Sequence, residues 1–446
     1  MYIQQYILHH FYQVYPAAQQ LDLKYGTDNG AKVSIKKYIG SFFEKKRPRP
    51  QQVVWKEWKG ENLPFFFDTD TDQEIVTYGP DGTASINYDI IASAFYLLSG
   101  WQEFYGPERD KFKRYTYKAS VQAKYGFITK PVVNYYFDIL RDVLENVYHK
   151  DLSYDRWGNN SFATCLTCDV DRLQSGWKVA GKQLMQQGRF FEVTKLWLQK
   201  GIGRDAWNNL PDVMQTAEKY GAKATFFFLP SNQRFNGHPN ADYDLTKLKY
   251  QELAQRVADQ GHEVALHGSF GTTNDLVQLK SDRAKLPLQA QGNRFHYLCY
   301  QPETTPLVLE QSNLKYDSTL GFAEHIGFRN SYCHPFYPFN FKNRRAHTFI
   351  ELPLLLMDTT LYNPNYMNLK PVEALQHLQS VVAEVQKFNG LFTLLWHNEN
   401  FSKYTEAVAE SGGMTWLGLV GELLQQLKDA GTRFYTCAKA AEKARA

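Results

Sequence analysis

From about residue 156 onward, the pattern of apolar and polar positions predicts strands and helices that alternate along the chain. A first strand is predicted at 161–169 (SFATCLTCD), and each predicted helix that follows ends in glycine and leads into another apolar strand. These helix and strand pairs are predicted at 210–221 and 222–230, 250–261 and 262–269, 371–390 and 391–398, and 414–431 and 432–437. Such alternation is typical of βα units and a parallel sheet.

The first part of the chain has a different pattern. It is rich in Tyr, Phe and Lys, carries scattered turn signals, and has apolar residues at helical spacing in 86–105 and 132–148. A chain of 446 residues is also too long for one average domain. We therefore predict a smaller α+β N-terminal domain of unknown role at 1–155 and an α/β domain at 156–446.

Composition and charge narrow the class of protein. A hydrophobic fraction of 43% and an aromatic fraction of 15% predict a globular protein with a substantial core. The net charge of +4 is small beside 50 basic and 46 acidic residues, and the one dense basic stretch, 44–51, is broken by prolines and predicts a solvated linker. The sequence therefore predicts no nucleic-acid partner, and it predicts no oligomeric state.

Neither a transmembrane segment nor a signal peptide is visible. No run approaches the 18 apolar residues of a spanning helix, and the N-terminus lacks a positively charged start. The sequence therefore predicts a cytoplasmic protein, although one from which a signal had been cleaved would look the same.

Two short motifs favour structure over chemistry. Cys165 and Cys168 form a CxxC, but they lie in a predicted strand, where residues three apart point to opposite faces. We interpret them as core residues, and five cysteines do not suggest a disulfide framework. The run DTDTD at 68–72 has Gln73 and Gly79 where a calcium loop needs Gly and Glu, so it predicts a turn.

Polar residues follow several of the predicted strands. Asp169 and Asp171 end the first strand on one face, His267 ends another, and His397 follows a third. In parallel α/β folds, functional sites lie at this edge of the sheet. Carboxylate and imidazole are the usual ligands of a catalytic zinc ion, but each residue alone is also typical of a cap, a turn or a structural histidine. Metal binding, catalytic proton transfer and an ordinary loop remain open on this pattern.

Five segments, in order, resemble motifs of one enzyme family. TCDVD at 167–171 resembles T-F-D-D, ATFFFLP at 224–230 resembles A-T-F-F, and GHEVALHGSFG at 261–271 resembles G-H-E-I-x-x-H-[ST]-x-x-H. RFHY at 294–297 resembles R-x-P-Y, and LLWHN at 394–398 resembles a final strand that ends in L-x-H. The family is the polysaccharide deacetylases, also called carbohydrate esterase family 4 or the NodB-homology domain.

The resemblance covers residues 156–440 and implies a distorted (β/α)7-type barrel. It implies a metal-dependent hydrolase that removes an N-acetyl group, with an O-acetyl group as the alternative, from a sugar of a bacterial surface polysaccharide or its precursor. The N-terminal half, with ASAFYLLSGWQEFY at 92–105, resembles an uncharacterised domain found ahead of such deacetylases. The partner implied is an acetylated sugar or polysaccharide.

The family's functional residues carry over by position. Asp169 resembles the catalytic base, Arg294 its ion-pair partner, His397 the general acid, and the backbone N–H of Tyr297 the donor to the oxyanion. Asp171 and His267 resemble metal ligands. Zinc is the ion expected, and His/Asp sites also accept other divalent ions.

One motif departs from the family pattern. Gly271 stands where the second histidine of the H-x-x-x-H pair is expected, and His296 replaces the proline of R-x-P-Y. Our hypothesis is that His296 supplies the missing ligand. The alternative is that His296 packs or binds substrate while the metal is weak or absent.

A downstream segment, 315–339, adds three candidate residues for binding substrate or supporting the site. These are Asp317, Arg329 and His334. Arg329 would suit an acidic sugar or a phosphate through bidentate pairing, and a surface salt bridge is the alternative.

Two rival functions remain on the sequence. The first is a hydrolase of another non-peptide C–N bond, in a cyclic amide or ureide. The second is a catalytically inactive glycan-binding relative, which Gly271 supports. The joint presence of Asp169, Arg294 and His397 argues against it, because a binding module needs neither base nor acid.

Overall fold

The structure is a computed structural model that describes residues 2–26, 30–158, 160–201, 204–402, 404 and 413–445. It contains two parts that follow one another along the chain. Helices packed on a small sheet come first, and a barrel of parallel strands follows.

The first part is α+β, as predicted. Its elements are α1 (Tyr2–Val14), β1 (Leu23–Tyr25), β2 (Val33–Ile35), β3 (Val54–Trp58), β4 (Glu61–Phe65), β5 (Val76–Tyr78), β6 (Ala84–Ile86), α2 (Ile90–Leu98), α3 (Trp101–Tyr105), α4 (Val121–Tyr125) and α5 (Val132–Tyr148), with 3₁₀ turns at Pro16–Gln20 and Tyr117–Ala119. One sheet has the strand order β1-β2-β6-β5, in which only β5 runs antiparallel to its neighbour, and β3 and β4 form a separate hairpin.

Both helices predicted in this part exist, but one of them is divided. The helix predicted at 132–148 is α5, with the same bounds. The helix predicted at 86–105 becomes α2 and α3, because Gly100 adopts a left-handed φ of 71° between them. That conformation suits glycine, and it turns the chain between two buried apolar segments.

The second part contains the alternating elements that the pattern predicted. They are β7 (Phe162–Val170), α6 (Gly176–Gln186), α7 (Phe190–Gly201), α8 (Leu210–Lys219), β8 (Thr225–Phe228), α9 (Leu248–Asp259), β9 (Glu263–Gly268), α10 (Leu276–Ala284), β10 (Gly292–Phe295), α11 (Thr305–Gln311), β11 (Tyr316–Asp317), β12 (Phe339–Asn340), β13 (Arg345–Ala346), β14 (Ile350–Glu351), β15 (Leu354–Met357), α12 (Asp358–Tyr362), α13 (Pro371–Lys387), β16 (Leu391–Leu395), α14 (Trp416–Asp429), β17 (Thr432–Phe434) and α15 (Cys437–Arg445), with 3₁₀ turns at His296–Leu298 and Asn398–Phe401. Every predicted helix and strand of this half is present to within a few residues.

These strands form a distorted (β/α) barrel, as predicted. The parallel order is β14-β11-β10-β9-β8-β7-β16-β15, and β17 also pairs with β7. Its two end strands, β14 and β15, are consecutive in the chain, so the path of strands nearly closes on itself. All residues of β7 are buried, as expected for the central strand of a parallel sheet covered on both faces.

The two parts share one apolar core. A single cluster of buried side chains extends from α1 to α14, and Phe137 of α5 packs edge-on against Tyr332, with ring centroids 5.8 Å apart. A domain boundary at 155/156 stays a proposal, because the core is continuous across it.

The minor motifs have structural roles. Cys165 and Cys168 are free thiols buried in β7. The 68–72 run is a turn in which the backbone N–H of Asp72 donates to Asp70. Among the described residues, no helix has both the length and the apolar character needed to cross a membrane.

Candidate metal centre and catalytic cleft

A cleft of about 250 Å³ lies at the carboxyl ends of the barrel strands. Parallel strands bring their carboxyl ends to one edge, so residues far apart in sequence meet there. Six residues singled out from the sequence line the cleft: Asp169, Asp171, His267, His296, Tyr297 and His397. Arg294 lies beneath them and is fully buried.

Asp171, His267 and His296 form a cluster with the spacing of metal ligands. One carboxylate oxygen of Asp171 lies 3.2 Å from Nε2 of His267, and the other lies 3.4 Å from Nε2 of His296. Atoms bound to zinc at roughly 2.0–2.2 Å in a tetrahedron lie about 3.3 Å from one another. Both distances match this spacing, and one ligand atom of each of the three residues lies within 4.8 Å of the others, which makes the cluster a candidate site for a small divalent ion. Among the described residues it is the only such group of three.

The hydrogen bonds of both histidines select the same tautomer. Nδ1 of His267 lies 2.7 Å from the backbone carbonyl of Arg294, and Nδ1 of His296 lies 3.2 Å from Oδ1 of Asn240. Both partners are acceptors, so each Nδ1 carries the proton. In the neutral imidazoles the Nε2 lone pairs then face Asp171, which is the arrangement that a metal requires.

Charge at the cluster also favours a cation. Oδ1 of Asp171 is buried and accepts no hydrogen bond from the described residues. Burial alone would lower the pKa of His267, but the charges of Asp169 and Asp171 outweigh it and raise that pKa. The two carboxylates therefore favour positive charge at this point, and a divalent ion would supply it.

Gly271, by contrast, has a backbone conformation that disfavours the histidine that the family pattern expects. Its φ is 106°, and a Cβ atom there would lie 2.7 Å from the ring of Phe235. His296, in the turn after β10, is therefore the third ligand candidate.

Asp169 is held by a buried ion pair. Its Oδ1 accepts a hydrogen bond of 2.9 Å from one guanidinium nitrogen of Arg294, which also donates to Oγ1 of Thr167. The other two nitrogens of the guanidinium donate to Ser318. Oδ2 of Asp169 lies 3.5 Å from Nε2 of His267. Because Oδ1 is used by Arg294, Oδ2 is left facing the cleft as a proton acceptor.

The backbone at Tyr297 is held in an uncommon conformation. Tyr297 and Leu298 have φ values of 59° and 53°. Left-handed conformations cost non-glycine residues roughly 1–3 kcal/mol and cluster at functional sites. The chain fixes this turn from outside, because Arg114 donates to the Tyr297 carbonyl at 2.7 Å and Phe112 stacks on the Tyr297 ring.

His397 faces the cluster from the opposite wall and is paired with an acid. Its Nδ1 lies 2.6 Å from Asp358, which also accepts the backbone N–H of His397 and the side-chain amide of Asn400. Burial alone would lower the pKa of His397, but Asp358 outweighs it and raises that pKa to about 10. The imidazolium is therefore the expected form at neutral pH, with Nε2 directed at the cleft 3.8 Å from Asp171.

Replacement of Asp358 tests this pair. In Asp358→Asn the carboxylate that raises the pKa of His397 is gone, so His397 loses its proton at a lower pH than in the wild type. If the hydrolysis proposed below is assayed, we expect kcat to fall by roughly 10²–10⁴ at neutral pH, the usual contribution of a general acid. The alkaline limb of the pH profile should move to lower pH, and an unmoved limb would contradict the assigned role.

Three residues that support the cleft were missed from the sequence: Asp358, Asn240 and Arg114. Asp358 follows the apolar strand β15 as Asp169 ends β7, and that pattern would have found it. Asn240 lies in a loop, and Arg114 belongs to the first part of the chain. No local pattern connects either of them to the cleft.

The three candidate substrate residues are in the interior instead. Asp317 does not line the cleft, and its carboxylate accepts a hydrogen bond from the side-chain amide of Asn293. His334 is buried, and its pKa is lowered to about 3 by burial and by the charge of Arg156. Arg329 pairs with Glu103 at 2.9 and 2.6 Å, so the salt bridge is buried and not on the surface. Their burial argues against contact with substrate, and we assign them structural roles.

The buried pair predicts a large effect on stability. Arg329→Met leaves Glu103 charged and unpaired in the interior, which costs about 3–5 kcal/mol in the free energy of unfolding. The double variant Glu103→Leu/Arg329→Met should recover most of the loss, because no charge remains buried. Arg345→Met, which breaks a half-exposed pair with Glu310, should cost about 0–1 kcal/mol. Urea unfolding measures all three, and equal losses at Arg329 and Arg345 would contradict the assignment.

Comparison with known families agrees with this architecture. Residues 204–304 match the model of the family described as polysaccharide deacetylase, and residues 2–149 match a family of unknown function, DUF7033. Part of the barrel, residues 204–304, is therefore similar to the polysaccharide deacetylase family. A search of curated proteins found no match.

Several solved structures have a similar fold. A protein of Mycobacterium smegmatis assigned to the polysaccharide deacetylases is 16% identical, with 65% of this chain and 92% of that chain covered and a TM-score of 0.42. A mutant peptidoglycan deacetylase of Bacillus subtilis is 11% identical, with 66% and 94% covered and a TM-score of 0.30. A family 4 acetyl xylan esterase of Clostridium thermocellum, in complex with cobalt, is 14% identical, with 62% and 89% covered and a TM-score of 0.30. Identities and scores this low do not transfer an activity to this chain.

Proposed function

We propose that this protein is a metal-dependent deacetylase that hydrolyses the N-acetyl group of a sugar in a bacterial surface polysaccharide or its precursor. One observation supports it above the others. A carboxylate with its arginine, a histidine with its aspartate and an Asp/His/His cluster face the same cleft. Base, acid and metal site are the parts that hydrolysis of an amide needs.

Zinc is the ion we propose for Asp171, His267 and His296. Three protein ligands with one open position are typical of catalytic zinc sites. A bound ion would lower the pKa of a water molecule from 15.7 to about 7 and polarise the acetyl carbonyl.

The protein's own groups would then move the protons. Oδ2 of Asp169 would accept a proton from the attacking water, because Oδ1 is already used by Arg294. The Tyr297 N–H would donate to the carbonyl oxygen as it becomes negative. Nε2 of His397 would give its proton to the departing amine, since Nδ1 is held by Asp358.

The test is release of acetate from acetylated sugars. Purified protein supplied with zinc is incubated with N-acetylglucosamine oligosaccharides, and acetate and free amine are measured together. We expect both products in equal amounts, loss of both with a chelator, and recovery when zinc is restored.

Other outcomes separate the alternatives. Acetate without amine, from an O-acetylated glycan, would indicate an esterase. Ammonia or ureide products from cyclic amides would indicate the rival hydrolase. Glycan binding without any product would indicate the inactive relative.

A further inference from the structure

The surface of helices α6 and α7 is unusually apolar. The described chain has fourteen exposed large apolar side chains, and five of them fall within residues 185–198. They are Met185, Phe190, Phe191, Trp197 and Leu198, exposed by 52%, 66%, 83%, 63% and 73%. Single exposed apolar residues are common on proteins, but a cluster of this kind marks an interaction site.

Four of the five side chains lie on one helix, α7, and Met185 lies on α6. Phe190 and Trp197 are seven residues apart in α7, as are Phe191 and Leu198, so each pair lies two turns apart on one side. The opposite side of α7 is also apolar, because Leu196 packs against Ala180 and Leu184 of α6. A surface helix normally presents polar residues to solvent, and α7 presents a second apolar face instead.

The hairpin formed by α6 and α7 is also strongly basic. Residues 176–201 contain Lys178, Lys182, Arg189, Lys195 and Lys200 against the single acid Glu192. The whole chain has 50 basic and 46 acidic residues, so the excess of four positive charges in this hairpin equals the net charge of the protein. Positive charge beside exposed aromatic and aliphatic side chains is typical of helices that lie in a membrane interface.

We infer that the α6–α7 hairpin docks this protein on the surface of a bilayer that contains anionic lipid. The lysines would extend their ammonium groups toward lipid phosphates while their stems cover apolar surface. A second copy of the same surface would bring like charges together. A protein partner also fits less well, because lysine is depleted in protein interfaces.

The position of the hairpin connects it to the cleft. It follows β7 directly, and its Lys178 and Val179 line a second hollow, of about 600 Å³, that Asp171 and His296 also line. Docking would therefore hold the cleft beside the bilayer. If the protein is the deacetylase proposed above, the substrates within reach would be glycans attached to the membrane.

Vesicle flotation tests the inference without any substrate. The full-length protein is mixed with vesicles made of equal parts phosphatidylglycerol and phosphatidylcholine, or of phosphatidylcholine alone. We expect binding to the anionic vesicles and a loss of affinity of at least tenfold on neutral vesicles or at high salt, because the attraction is partly electrostatic. Failure of the wild type to float with anionic vesicles would overturn the inference.

Matched variants locate the contact. Phe191→Ser/Leu198→Ser removes two side chains that touch solvent and should weaken binding at least tenfold with an unchanged melting temperature. Leu248→Ser/Val277→Ser, at positions exposed by 72% and 80% on α9 and α10, is the control and should bind like the wild type. Equal binding by both variants would overturn the inference. So would a wild type that self-associates without lipid while the Phe191→Ser/Leu198→Ser variant stays monomeric.

The result is independent of the reaction. A protein that floats with anionic vesicles but releases no acetate would contradict the proposed function alone. A protein that releases acetate from soluble sugars but does not float would contradict the docking surface alone.

Discussion

Asp169→Asn should reduce acetate release by roughly 10²–10⁴-fold, the usual contribution of a general base. The amide keeps the size of the side chain and an oxygen that can accept from Arg294, but it cannot take a proton from water. The loss should appear in kcat, with little change in KM, because Asp169 is assigned to the reaction and not to substrate binding.

The metal content of Asp169→Asn separates this role from damage to the site. Zinc bound per chain should equal that of the wild type, since the proposed ligands are Asp171, His267 and His296. Asp212→Asn makes the same chemical change on the exposed surface of α8 and should leave both activity and metal unchanged. A variant of Asp169 that keeps full activity, or that loses its zinc, would contradict the role of base.

His296→Ala should weaken zinc binding by more than the roughly 10–100-fold that loss of a residue supporting a metal site costs. The imidazole faces Asp171 with its lone pair, and removing it leaves two protein ligands. A titration with zinc, monitored by calorimetry or by competition with a chelator, gives the affinity directly.

His238→Ala is the matched control for this variant. The ring of His238 packs on Phe112 and Phe270 near the cleft and is outside the cluster. Its removal should leave the zinc affinity unchanged. Affinity retained in His296→Ala would favour the alternative, in which His296 packs or binds substrate.

A rescue experiment tests the departure from the family pattern. Gly271→His in the His296→Ala background restores the H-x-x-x-H spacing of the sequence. We expect no recovery of zinc, because φ at Gly271 is 106° and a side chain there meets Phe235. Recovery would mean that the loop after β9 can turn toward the cluster.

The sequence by itself determined the order of strands and helices in the barrel. Apolar runs of the right length, helices that end in glycine, and Asp169 or His267 at a strand's end are local patterns. Such patterns depend on neighbouring residues alone, and the repeated βα order leaves few possible topologies. Asp169, Asp171, His267 and His397 could therefore be named from local patterns. The family resemblance of RFHY at 294–297 added Arg294, His296 and Tyr297.

Only the tertiary structure decided what each of those side chains touches. The partner of His296 is Asn240, that of His397 is Asp358, and that of Arg329 is Glu103, 226 residues away. It also divided the helix predicted at 86–105 and revealed the exposed face of α7. Pairings between distant residues depend on how whole elements pack, and hydrophobic periodicity in one segment carries no record of the partner it will meet.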